Sequence, residues 1–367
     1  MSNLEQQLVE TVRDAVSVRR KLRIRGSGSK DFYGQPWAQE VAVLDAGSHR
    51  GVVDYEPTEL VVTVRSGTPL AELEALLHDN GQMLAFEPPH FASGATVGGM
   101  VAAGLSGPRR ATAGAVRDYV LGARLLDGRG DALSFGGRVM KNVAGYDVSR
   151  ALAGSLGTLG MILEVSLKTQ PVPLAEATLR FELPESRAIE ELNRWGGKPL
   201  PLSGSAWIDG ELVVRLSGAR AAVASAIEKM GGEKVDDAEA RSLWLSIREQ
   251  THAFFAGAVR DALPLWRLSM PSITPAETLH QGIAGSSLLE WGGALRWFAS
   301  ATDAARVREI AQKAGGHATL FRGTDELRQS VGTFQPLQPA IARIHRNLKA
   351  TFDPDGVFNP GRLYAGF

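Results

Sequence analysis

The chain has 367 residues, 44% of them hydrophobic and 22% charged, a length that calls for two domains rather than one ordinary core. Forty basic residues balance forty acidic ones, so nothing argues for nucleic acid as a bulk electrostatic partner. Cysteine is absent, which excludes disulfides, iron–sulfur clusters, thiolate zinc sites, a cysteine nucleophile and a cysteinyl cofactor bond within this chain.

Glu5 and Glu10 stand where a secretory signal would carry basic residues. No stretch offers about 18 to 20 apolar residues free of glycine, so neither a signal peptide nor a transmembrane helix is expected. The expected location is the cytoplasm. Leu4, Leu8 and Val12 recur at helical spacing, and Leu22 to Arg25 alternates like a strand running into Gly26-Ser27-Gly28-Ser29-Lys30. Such a turn can cradle a phosphate on successive amides, or can be a flexible hairpin turn. It matches neither a Walker A loop nor a Rossmann fingerprint. Strands are predicted over 41–44, 52–55 and 60–64, followed by a helix from Pro69 to about Asn80 that presents Leu70, Leu73, Leu76 and Leu77 on one face.

Residues 91–108 carry no charge, and five glycines crowd the run from Ser93 to Gly107. Glycines at roughly 1 kcal/mol each relative to alanine make a poor helix, so they point to close backbone approach or positive φ. A short helix is predicted over 97–103, with the amides of Gly98 and Gly99 opening it as an anion site. The alternative is a buried small-residue helix without a ligand. Beyond it a hairpin is predicted over 120–126 and 132–135, then a helix over 148–153 and a buried strand over 161–167. From about Pro173 the texture changes to strand-like pieces alternating with amphipathic helices, an antiparallel sheet backed by helices. A last helix over 340–352 precedes the tail Asp353-Pro354-Asp355-Gly356-Val357-Phe358-Asn359-Pro360-Gly361-Arg362.

Taken in order, these signals resemble a known family. Arg25-Gly26-Ser27-Gly28-Ser29, the Pro88-Pro89 loop, Gly94-Ala95-Thr96-Val97-Gly98-Gly99, Lys141-Asn142-Val143-Ala144-Gly145-Tyr146-Asp147 and Gly154-Ser155-Leu156-Gly157-Thr158-Leu159-Gly160 resemble the PCMH-type FAD-binding domain of the vanillyl-alcohol oxidase superfamily. The tail resembles the D-lactate and glycolate dehydrogenase branch. Glu87-Pro88-Pro89-His90, Trp291-Gly292-Gly293 and Gly315-Gly316-His317 are similar to the E-subunit family of bacterial glycolate oxidase.

The resemblance implies an α+β fold: a PCMH-type FAD-binding domain of two α+β lobes over 1–172, an α+β cap over 173–335, and a helix and tail over 336–367 returning to the FAD domain. By position, Gly26, Ser27, Gly28 and Ser29 would face the pyrophosphate. Pro88, Gly94, Ala95, Thr96, Gly98 and Gly99 would line the pyrophosphate, ribityl and ring region, with Gly157, Gly160 and Ile162 near the adenine. FAD should be noncovalent, because Ser29 or Lys30 stands where some relatives tether it through histidine.

Oxidation of a 2-hydroxy acid needs a proton acceptor and a cation for the carboxylate, while the cofactor supplies the redox step. His317, His345 and Arg109 are the candidates, with His90 also near a motif and solvated or packing roles as the alternatives. No two histidines stand at metal-ligand spacing, so no metal site is expected. The family implies partners, a larger FAD-containing subunit and an iron–sulfur subunit, through which the chain would lie at the inner face of the cell membrane. The expected function is participation in oxidation of glycolate to glyoxylate. A structural or electron-relay subunit, or a standalone hydroxy acid dehydrogenase, are the alternatives.

Overall fold

The computed structural model describes residues 3–37, 41–137 and 147–367. The motif residues 141–146, Tyr146 among them, lie outside the described residues. The fold is α+β, as expected. Its first layer is built from both ends of the chain. Helix Asn3–Ser17 buries Leu8, Val9, Val12 and Ala15 against Leu22, Leu44, Met161, Val357 and Phe358. Strands Leu22–Arg25 and Ala42–Asp45 pair in parallel, and Leu22 also bridges to Phe358 of the tail.

A five-stranded antiparallel sheet follows, in the order Val52–Glu56, Val61–Arg65, Met161–Lys168, Val120–Leu126 and Ala132–Gly136. Helix Leu70–Asp79 seats Leu70, Leu73 and Leu77 in its core, together with Val97, Met100 and Val101 of the glycine-rich helix Val97–Ala103. That short helix forms because the Thr96 hydroxyl accepts from the Gly99 amide at 3.3 Å and Gly104 ends it at φ +67°.

The second half folds into an eight-stranded antiparallel sheet. Alternation along its strands separates two faces. Trp266, Leu268, Phe298 and Leu320 point to an outer layer that includes helix Ala304–Lys313. Leu265, Leu288, Leu295, Trp297 and Phe321 point inward, where Tyr33, Ala103 and Leu105 from the first half join their core. The glycine stretch is therefore clamped between the two sheets. Strands Ser286–Glu290 and His317–Arg322 and helices Ala253–Arg260 and Asp325–Val331 were not anticipated from the sequence.

Candidate functional site

Four segments converge on one groove: residues 24–31 after the first strand, the start of helix Val97–Ala103, residues 156–162, and the tail at Asn359 and Arg362. It consists of two adjoining open clefts, and Ile24, Gly26, Thr96, Gly99, Leu156 and Asn359 line both. The tail is locked in place from below. Lys349 donates to Asp353 at 2.6 Å and to the carbonyls of Thr158 and Phe358 at 2.7 and 2.8 Å. Asp353 in turn accepts from the amides of Val357 and Phe358, both at 2.8 Å. Arg362 donates to the carbonyls of Asp31, Tyr33 and Gln35, tying the tail to the far end of the phosphate-type turn.

The loop amides divide into two groups. The Gly98 amide donates to Ser66 O at 2.7 Å, Val97 to Thr68 O at 3.0 Å, and Gly99 to the Thr96 cap. The expectation that the Gly98 and Gly99 amides form an anion site thus meets a correction: both are satisfied within the protein, and their glycines serve close packing. A Cβ on Gly98 would lie 2.6 Å from the Ser66 Cβ, and one on Gly26 would lie 2.5 Å from the Thr96 hydroxyl. The amides of Ser27, Gly28 and Lys30, by contrast, have no acceptor among the described residues. Gly28 sits at φ +82°, the left-handed turn that lets neighbouring amides converge.

Lys30 stands at the same turn, its ammonium donating to His90 O at 3.2 Å. Burial lowers its pKa to about 8, against the opposing pull of Glu249. The carboxylate of Asp31 is taken up by Arg23 at 2.5 Å and Arg25 at 2.9 Å. Three free amides, two serine hydroxyls and a weakened cation suit a pyrophosphate. The second cleft, floored by Gly157, Gly160 and Ile162, suits a flat apolar-edged group.

Of the residues singled out from sequence, Gly26, Ser27, Gly28, Ser29, Thr96, Gly98, Gly99, Gly157, Gly160 and Ile162 line this groove. Pro88, Gly94 and Ala95 do not. Ala95 is buried, its carbonyl holding the Leu70 amide at 2.7 Å, and Gly94 packs behind Ser27. Arg109 turns away, pairing with Glu176 at 2.8 Å and Glu87 at 3.4 Å. His317 is exposed at the start of its strand, and His345 packs among Tyr364 and Phe367. His90 hydrogen-bonds Glu74 at 2.9 Å. None of the three histidines lines the groove. Asn359, Arg362, Ser66 and Tyr33 were not foreseen, since each reaches the groove through contacts distant in sequence. The tail motif was the one signal that could have suggested Asn359 and Arg362.

The FAD binding domain family matches residues 3–136. The glycolate oxidase subunit GlcE of Escherichia coli (strain K12) is 48% identical over 362 residues, covering 98% of this chain and 97% of that protein. The glycolate oxidase subunit GlcD of Bacillus subtilis (strain 168) is 32% identical over 157 residues, 42% of this chain and 33% of that one. Among solved structures, an alkyldihydroxyacetonephosphate synthase superposes with a TM-score of 0.68 at 16% identity, over 97% of this chain and 74% of that one. A 4-ethylphenol oxidase from Gulosibacter chungangensis gives 0.68 at 14% identity, over 99% and 88%. The two structures share the fold, the α+β flavin fold the motifs imply. With near-half identity sustained almost end to end, the chain belongs to the family of the glycolate oxidase subunit GlcE, and its N-terminal part is an FAD binding domain.

Proposed function

We propose that this chain is the FAD-binding subunit of a glycolate oxidase complex, taking part in oxidation of glycolate to glyoxylate and passing electrons to partner subunits. The likeness to the E. coli subunit over 98% of the chain carries this reading. The groove supports it. Bound noncovalently, FAD would supply the acceptor for the substrate's hydride. Ser27, Gly28, Ser29 and Lys30 would hold its pyrophosphate, Thr96 and Gly99 would let the backbone approach closely, and Gly157, Gly160 and Ile162 would floor its adenine end. Asn359 and Arg362 would keep these walls at fixed spacing.

The similarity of part of the chain to a GlcD subunit supports a larger flavin subunit as partner. With no cysteine here, an iron–sulfur cluster that passes electrons onward would sit on a further subunit. No helix among the described residues is long and apolar enough to cross a membrane, so contact with the inner face of the membrane would run through partners. A second reading, an electron-relay or supporting subunit, draws on Arg109 being engaged by two carboxylates and on His317 and His345 standing away from the groove. An anaerobic spectrum of the purified chain, before and after glycolate, tests both. Bleaching by glycolate alone supports turnover here. Bleaching only after partner subunits are added supports the relay, and no flavin at all overturns the cofactor reading.

A further inference from the structure

One guanidinium on the inner face of the large sheet lies against two indoles but has no hydrogen-bond acceptor or ion-pair partner among the described residues. Arg267 is the central residue of strand Leu265–Ser269, and alternation turns it toward the glycine stretch while Trp266 and Leu268 point outward. Across the ladder it opposes Trp297 on one side and Thr319 on the other. Its guanidinium lies 5.1 Å from the Trp291 ring centroid and 5.9 Å from that of Trp297. Among the described residues it makes no hydrogen bond or ion pair. Nearby arginines are held: Arg296 by the carbonyls of Gly293 and Thr274, Arg215 by Glu87. Arg267 is half-buried, so its N–H groups remain open to a ligand in the space they face, where partial desolvation strengthens a charge-assisted pair.

Arg267 faces a small cleft, apart from the groove, walled by Pro89 and residues 105–108 on one side and by Trp297, Phe321 and Glu290 on the other. Glu290 ends strand Ser286–Glu290 on the same inward face, and is 4% exposed. One of its oxygens accepts from Trp297 Nε1 at 2.8 Å. Burial pushes its pKa up to about 7, despite the Trp297 bond and the field of Arg267. The indoles lie against the guanidinium, which favours a ligand that meets its planar N–H fork. A carboxylate does so with two parallel hydrogen bonds.

We propose that this cleft binds a small carboxylate, its carboxyl group paired with Arg267 and its neighbouring oxygen hydrogen-bonded to Glu290. The proposal rests on the reading that the chain takes part in 2-hydroxy acid oxidation. A protonated Glu290 donates to the ligand without repelling it, whereas an ionised one opposes a second carboxylate. The other charged or titratable groups around the pair are Glu87, Arg248, Arg110, Tyr33 and His317. Glu87 is already neutralised by Arg109 and Arg215, and burial and Arg267 hold His317 below its ordinary value, leaving Glu290 as the group poised near neutrality.

The test is calorimetric titration of glycolate into the flavin-loaded full chain, at about pH 6 and about pH 8, with flavin content read by absorbance on each sample. The wild type should bind, more tightly at the lower pH. Arg267→Gln should weaken binding by about tenfold or more, the scale of one charge-assisted pair, with flavin content unchanged. Glu290→Gln should bind with the pH dependence removed. Three results overturn the proposal: Arg267→Gln binding glycolate like the wild type, a flavin-loaded wild type that takes up none, or loss of flavin from Arg267→Gln, which would assign the cleft to the cofactor. If Arg267→Gln does not fold, an unchanged pH slope in Glu290→Gln overturns it equally. A chain that never loads flavin yet binds glycolate through Arg267 would sink the cofactor reading while supporting the carboxylate site.

Discussion

The side-chain amide of Asn359 joins the two ends of the chain: its oxygen accepts from the Ile24 amide at 2.8 Å while its nitrogen donates to Leu156 O at 2.6 Å. One residue thereby sets the spacing of three of the four segments that wall the groove. Its backbone bonds back as well, its amide donating to Leu22 O at 2.9 Å. Asn359→Ala should strand a backbone amide and a carbonyl in a nearly enclosed place and cost roughly 1–3 kcal/mol. Thermal unfolding should report the loss, and FAD affinity should fall with it. Unchanged flavin affinity in a destabilised variant would mean that the tail does not shape the cofactor groove.

Gly26 tests the close approach of two loops. Its missing Cβ is what lets the turn lie against Thr96, whose hydroxyl is itself fixed as the helix cap. Gly26→Ala should push the turn outward and reduce FAD affinity at least about tenfold, ~1.4 kcal/mol. Gly81→Ala serves as the control, because a Cβ there meets nothing within 4 Å. Its φ of +67° carries a small strain, so it should lower the melting temperature slightly and leave flavin binding alone. Equal flavin titrations for the two variants would refute the wedge.

Local chemistry was legible and long-range pairing was not. Helix Val97–Ala103 follows from a capping threonine and a terminating glycine, both within nine residues of each other. The groove's glycines could be recognised because close approach leaves a composition signal. That the Gly98 amide belongs to Ser66 could not, since the partner lies 32 residues earlier on another strand end. Strand Ser286–Glu290 is short and buried on both faces, so it shows no alternation to read. Arg267 sits in an alternating strand, but its lack of a partner depends on which strands flank it. Arg109 follows the glycine stretch directly, yet its direction is decided by Glu87 and Glu176.

That engagement makes Arg109 a test of structure against chemistry. Glu87 is held below the usual carboxylate range: burial pushes it up, but Arg215 and Arg109 outweigh burial. Arg109→Ala should leave Glu87 with Arg215 at 2.8 Å, so the loss should be on the order of 2 kcal/mol, below the roughly 3–5 of a fully stranded charge. Denaturant unfolding should show it, with flavin content and the KM for glycolate of the assembled complex unaltered. A raised KM without loss of stability would instead restore Arg109 to the substrate.

Lys30 predicts a pH dependence with a definite sign. Its folded pKa is lowered to about 8 from 10.5, so between these values the unfolded chain holds a proton that the folded chain has lost. Stability without cofactor should therefore rise across that window. Cofactor affinity should run the other way. A pyrophosphate at the Ser27–Lys30 turn is favoured by the protonated lysine, present below about pH 8, and loses that partner as the pH rises above it. Fluorescence titration of FAD into the apoprotein should show affinity falling between pH 7 and about pH 9 to 10, because bound anion holds the proton longer than the free site does. Lys30→Met should bind more weakly at pH 7 and show almost no slope. A wild-type slope retained in Lys30→Met would move the titrating group elsewhere, and a flat wild-type profile would separate Lys30 from the phosphate altogether.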